Sequence, residues 1–150
     1  KVTHVDASRP ALTWARENQK LSRLADKPVR WILDDVIKFL KREDRRGNRY
    51  HGIIMDPPSF GRGPKGEVWK IEKDLPVLMR LCKNVLVPNL AFALISTHSP
   101  GFSALTLENL LKSYLVNPNA GLLESGEMFV RDCTSGIHLP NGFYSRWVAF

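Results

Sequence analysis

The stretch that most narrows the possible folds is Ile53-Ile54-Met55-Asp56-Pro57-Pro58. A short apolar run bounded by turn residues reads as a buried strand. Pro57 has no N–H and holds the residue before it extended, so the strand stops at Asp56. This puts a carboxylate at the C-terminal end of a strand, the edge at which open α/β sheets bind ligands. The two prolines stiffen the turn, and they offer carbonyls but no donors. Beyond them Ser59, Phe60 and Gly61-Arg62-Gly63-Pro64-Lys65-Gly66 supply a hydroxyl, a flat ring and cations.

Strand, acid and helix recur along the chain. Val2 to about Asp6 reads as a strand, after which Ser8 can cap a helix with Pro10 in its first turn. Ala11, Leu12, Ala15, Leu21 and Leu24 keep near-helical spacing through Arg23. The next strand is Val29 to Leu33, ending in Asp34-Asp35, and a helix from about Val36 to Arg45 follows. After the Asp56 loop, Asp74 and Pro76 mark a helix start. The buried stripe of that helix includes Leu75, Leu78, Met79 and Cys82, and Pro88-Asn89 ends it. Residues 90–97 form a continuous apolar strand running into Ser96-Thr97-His98-Ser99-Pro100. A helix over 106–115 comes next. Strands over 126–130 and 143–150 follow, joined by a loop carrying Cys133, His138 and Pro140. Alternating strands and helices imply an α/β, mostly parallel sheet covered on both faces, with an antiparallel edge if the last two strands pair.

Composition bounds the function. A chain of 150 residues with 43% hydrophobic and 25% charged residues is expected to be one soluble globular domain. No apolar run reaches the length of a membrane span and no signal peptide opens the chain. Cys82 and Cys133 make neither a disulfide framework nor a zinc site, so a reducing, cytoplasmic setting and no metal are expected. Cys82, inside a helical stripe, reads as a core thiol. A net charge of +7 points to a polyanion, nucleic acid first, although a solvated basic surface accounts for it equally well. The basic stretch 38–49 reads as a solvated helix end, placed on the sheet edge away from Asp56. Lys1 is followed at once by a strand, so the chain reads as part of a longer domain.

The Asp-Pro-Pro stretch resembles motif IV of class I S-adenosylmethionine (SAM)-dependent methyltransferases. Asp56 to Lys70, DPPSFGRGPKGEVWK, resembles more closely the large-subunit ribosomal RNA methyltransferase branch. The resemblance implies a Rossmann-like sheet of order 3-2-1-4-5-7-6, with Asp6 ending the second strand. The first strand and its Gly-rich loop would then be missing from this chain, and no G-x-G-x-G replaces them. The strands ending at Asp6 and Asp56 would either flank a slot or pair directly.

An acid at a strand end before a helix can accept hydrogen bonds from both hydroxyls of a ribose. The resemblance gives Asp6 that role; helix capping is the alternative. It gives Asp35 the adenine amino group, with Asp34 as the alternative and simple N-capping as another reading. Ala7 and Val36 flank these acids in the expected cofactor site. Asp56, Pro57 and Pro58 would frame the transfer site. Ser59, Phe60, Arg62, Lys65 and His98 are the candidate substrate contacts, Phe60 by stacking a flipped base and Arg62 and Lys65 by holding phosphates. His98 could equally be a base or an ordinary turn histidine.

The implied activity is methyl transfer from SAM to RNA. Ser59 stands where amino-methylating relatives carry an aromatic, which leaves an exocyclic nitrogen target unsettled. No cysteine ends the strands before Pro57 or His98, which disfavours cytosine C5. The other readings are a non-enzymatic RNA-binding module with a degenerate methyltransferase fold, and a methyltransferase for a small molecule or protein.

Overall fold

A computed structural model describes residues 1–63 and 66–150. The elements run β1 (Val2–Asp6), α1 (Arg9–Leu21), β2 (Val29–Leu33), α2 (Val36–Arg45), β3 (Gly52–Met55), β4 (Phe60–Arg62), β5 (Val68–Lys70), α3 (Ile71–Val85), β6 (Phe92–Thr97), α4 (Ala104–Tyr114), a 3-10 turn (Pro118–Ala120), β7 (Gly121–Arg131) and β8 (His138–Ala149).

The first two helices start where their caps say. Ser8 accepts from the Ala11 N–H and Asp35 from the Lys38 N–H, each satisfying a donor that a helix leaves open. The third starts earlier than Asp74 and Pro76 suggest, at Ile71, with Pro76 inside it. Its entry is fixed from both sides: the Ile71 N–H donates to the Ser59 carbonyl, and Asp74 reaches back to the Lys70 N–H at 2.8 Å. Further boundaries move, and β7, read over 126–130, runs from Gly121 to Arg131. The strand read over 90–97 starts at Phe92, α4 starts at Ala104, and His138 and Pro140 belong to β8 rather than to a loop. Gly142, at φ +94, lets β8 pass the end of β6, since a Cβ there would lie 2.3 Å from the Thr97 carbonyl oxygen.

The sheet comes in two principal parts. β1 and β2 pair in parallel, Val2 opposite Val29 through Asp6 opposite Leu33. The second part has the order β3-β6-β8-β7. There β3 and β6 are parallel, while β8 is antiparallel to both β6 and β7. Laid side by side, β2-β1 and β3-β6-β8-β7 reproduce the implied strand order with its central position open. Among the described residues β1 and β3 do not pair, so of the two alternatives the structure takes the slot. Ile54, on the middle of β3, is 70% exposed as a result.

The core lies beneath the second part. Ile71, Leu75 and Met79 of α3 meet Ile95 of β6 and Leu107 and Leu111 of α4, all fully buried. Cys82 is in this core, where burial pushes its thiol up to about 12. Its Sγ lies 3.9 Å from Met55 Sδ, consistent with a packing role.

Candidate active site

The C-terminal ends of β1, β2 and β3 open onto one cleft of ≈ 630 Å³. Asp6, Ala7, Asp34, Asp35, Val36, Asp56, Pro57, Pro58 and Arg62 all line it. Residues fifty positions apart converge here because parallel strands end at the same edge.

Each carboxylate is held differently. Asp6 Oδ1 accepts the Ser8 N–H at 2.6 Å, which leaves its second oxygen for a ligand. Asp35 Oδ1 caps α2 by accepting the Lys38 N–H at 2.9 Å. Asp34 is more fully engaged, since it accepts the Asp35 N–H and pairs with Arg42. That favours Asp35 over Asp34 for a ligand contact. Asp56 accepts from Ser96 Oγ at 2.8 Å, and His98 Nε2 lies 3.9 Å away from the same oxygen. The ends of β3 and β6 thus bring a carboxylate, a hydroxyl and an imidazole together.

The remaining candidates sit at the margin. Ser59 Oγ shares a hydrogen bond of 2.7 Å with Ser99 Oγ, tying the Asp-Pro-Pro turn to the residues after β6. Phe60 and Arg62 belong to β4, which forms a hairpin with β5 where the glycine-rich sequence suggests a loop. Lys65 lies outside the described residues. The basic stretch is not confined to the far edge, because Lys38 and Lys41 line the cleft and Lys38 pairs with Glu67.

Three contributors had no assigned role. Ser96 was visible only as part of a polar strand end. Trp69 donates from Nε1 to the Pro58 carbonyl at 2.6 Å, pinning the turn from above. Glu43, in sequence one acid among many cations, is fully buried behind the cleft.

This arrangement, a parallel α/β sheet with carboxylates at successive strand ends and a rigid Asp-Pro-Pro turn, has the fold of the class I SAM-dependent methyltransferases. No family model matches the chain. The solved SAM-dependent methyltransferase from Agrobacterium tumefaciens is 38% identical and superposes with a TM-score of 0.86, over 97% of this chain and 48% of that one. A second solved structure, of a methyltransferase complexed with SAH, superposes with a TM-score of 0.72 at 19% identity, over 99% of this chain and 38% of that one, a likeness of fold alone. Among curated proteins, ribosomal RNA large subunit methyltransferase K/L of Syntrophotalea carbinolica is 35% identical over 85 residues, 56% of this chain and 12% of that protein. Ribosomal RNA large subunit methyltransferase I of Salmonella arizonae is 42% identical over 60 residues, 40% of this chain and 15% of that protein. The chain therefore resembles the large-subunit ribosomal RNA branch of these methyltransferases, and it spans about half of the solved relative and a smaller share of the curated ones.

Proposed function

We propose that residues 1–150 are part of one SAM-dependent methyltransferase domain acting on RNA, most closely a ribosomal RNA, in the cytoplasm. The observation that carries this is the convergence of Asp6, Asp35 and Asp56 on one cleft whose floor ends in the Asp-Pro-Pro turn. Among the described residues no helix is long and apolar enough to cross a membrane.

The cleft fits the adenosine end of SAM. Its volume falls within the range of small-molecule sites, and its acids are acceptors matched to donors on the cofactor. Asp6 holds the ribose hydroxyls with the oxygen that Ser8 leaves open, and Asp35 accepts from the adenine amino group. Ala7 and Val36 pack beside them. For the methionine end this chain offers no Gly-rich loop, and the slot between β1 and β3 is where a further strand would bring one. A parallel strand there would also satisfy the open N–H and C=O groups of both edges.

SAM, when bound, supplies a methyl group on a positively charged sulfur. The work left to the protein is positioning and electrostatics. Pro57 and Pro58 form a stiff wall against the acceptor. Asp56, oriented by Ser96, accepts a hydrogen bond from the acceptor's N–H or O–H and so aims its lone pair. His98 stands beside Asp56 on the substrate side. Phe60, Arg62 and Lys65 serve the RNA.

The test is transfer of tritiated methyl from SAM, by a chain extended upstream, to ribosomal RNA, to protein and to small-molecule extracts. Label in RNA that is lost in Asp56→Ala supports the reading; label only in protein or small molecules overturns the RNA assignment. Absence of both transfer and SAM binding would favour a degenerate RNA-binding module.

A further inference from the structure

The hairpin of β4 and β5 has a register that sorts its residues into two faces. Phe60 lies opposite Lys70, Gly61 opposite Trp69 and Arg62 opposite Val68. Opposed residues share a face and neighbours alternate. One face therefore carries Gly61 and Trp69, and the other carries Phe60, Arg62, Val68 and Lys70. The first is turned onto the protein, where Trp69 bonds the Pro58 carbonyl. The second is open: Phe60 and Val68 are each 52% exposed.

This open face is built as a unit. Among the described residues neither Arg62 nor Lys70 has an ion-pair partner, whereas the nearby acid Glu67 pairs with Lys38. The two cations lie on one diagonal and the two apolar side chains on the other. The ribbon is anchored at its base by the Ile71–Ser59 and Lys70–Asp74 hydrogen bonds, and at its centre by Trp69. Arg62 and Val68 reach the rim of the cleft that holds Asp56; Phe60 and Lys70 do not line it.

We propose that this outer face binds an unpaired stretch of RNA beside the nucleotide being methylated. A base stacks on Phe60 against Val68, and Arg62 and Lys70 take the phosphates on either side. An exposed ring flanked by cations is the pairing that holds single strands, since every unstacked base has a π-face and every nucleotide a negative charge. A duplex presents its backbone with its bases already stacked, and so gives Phe60 no partner. The inference rests on the RNA reading of the site only for the identity of the polyanion. It adds Lys70 and Val68 to the substrate surface and makes Trp69 a positioning residue that couples the surface to Pro58.

The experiment is fluorescence anisotropy of the full chain with a labelled unpaired RNA twelve-mer, and with the same sequence as a duplex, across a salt series. Phe60→Leu is expected to weaken single-strand binding about tenfold and leave the salt slope unchanged. Arg62→Gln with Lys70→Gln is expected to lower the slope by about 1.4, roughly 0.7 for each phosphate contact. Arg80→Gln with Lys83→Gln, on α3 beyond the hairpin, is expected to change neither. If the wild type binds the single strand and both hairpin variants bind it with the same affinity and slope, the ribbon assignment is overturned while the RNA reading stands. Duplex bound as tightly as the single strand also overturns it. A wild type that binds neither RNA overturns the RNA reading itself.

Discussion

The two parts of the sheet differ in what fills their interiors. No residue of β1 or β2 is fully buried, and the helices over them contribute only three apolar side chains, Leu12, Phe39 and Leu40, to the buried set. In the larger part Ala93, Ile95 and Thr97 of β6 are wholly buried between α3, α4 and the neighbouring strands. The smaller part has a polar node instead. Glu43 of α2 is 0% exposed and accepts from Arg30 Nη1 at 2.9 Å, Asn48 Nδ2 at 2.9 Å and Tyr50 Oη at 2.5 Å. Tyr50 also exchanges backbone hydrogen bonds with Val85 and Val87. The carboxylate therefore holds β2 to α2 and ties both to the segment that closes the larger part. Two strands open along one edge cannot enclose an apolar core, so a satisfied buried charge fixes their geometry, and with it the positions of Asp6 and Asp35.

The comparison can be broken most severely at the node. Removing the carboxylate leaves the partly buried Arg30 guanidinium without its counter-charge and takes one hydrogen bond from Tyr50 and one from Asn48, so Glu43→Ala should cost about 3 kcal/mol in chemical denaturation. The node also sets a pH dependence. Burial alone would push the Glu43 carboxyl up, but hydrogen bonds from Arg30, Tyr50 and Asn48 outweigh it and lower the carboxyl to about 2, against an ordinary 4.5. A carboxyl depressed on folding contributes stability that is fully present above its unfolded value and is lost as pH falls through its folded one. The loss should thus span pH 4.5 down to about 2, on the order of 3 kcal/mol. Hydrogen exchange across that range should show β1, β2 and α2 opening first, and Glu43→Gln should flatten the acid limb.

Ile95→Ala attacks the other part. A buried isoleucine truncated in a packed core costs about 2–5 kcal/mol. The acid limb should keep its shape, because the node is untouched; a changed limb would show that Ile95 bears on the node.

At the boundary between them, Asp56→Ala in an extended chain should cut turnover at least about a hundredfold, roughly 2.7 kcal/mol on the barrier. Its denaturation midpoint should stay put, since the side chain is exposed and its neighbours, Ser96 at 2.8 Å and His98 at 3.9 Å, are strand-end groups outside the core. Near-normal turnover would remove Asp56 from the transfer site.

The smallest effect sharpens the picture of the slot. Ile54→Thr should change the stability of the 150-residue chain by less than about 0.5 kcal/mol, as exposed positions do. The same change in a chain whose slot holds a strand should cost more than about 1 kcal/mol. Equal costs in denaturant titrations of the two would mean that Ile54 does not face the slot.

What was legible in the sequence follows the same division. The starts of α1 and α2 could be read because Ser8 and Asp35 are local caps acting over three residues. The acids at strand ends could be read because each closes a short strand-like run just before a helix or a Pro-Pro turn. Whether the slot would stay open could not, since it depends on whether β1 and β3 approach each other, and they lie far apart in sequence. Glu43 looks like any acid in a charged helix, because the partners that bury it come from β2 and from residues beyond the helix end. The β4–β5 hairpin was hidden by its three-residue strands and its glycines, and the docking of Trp69 on Pro58 that helps to hold it joins residues eleven positions apart.

The central claim is that the carboxylates flanking the slot form a SAM site completed by a strand within it. Calorimetric titration of SAM tests this directly, using the 150-residue chain and a chain extended upstream by one strand, loop and helix. The account predicts micromolar binding by the extended chain, weakened by Asp6→Asn, and far weaker binding by the shorter one. Equal affinity in both chains, or an extended chain indifferent to Asp6→Asn, would contradict it.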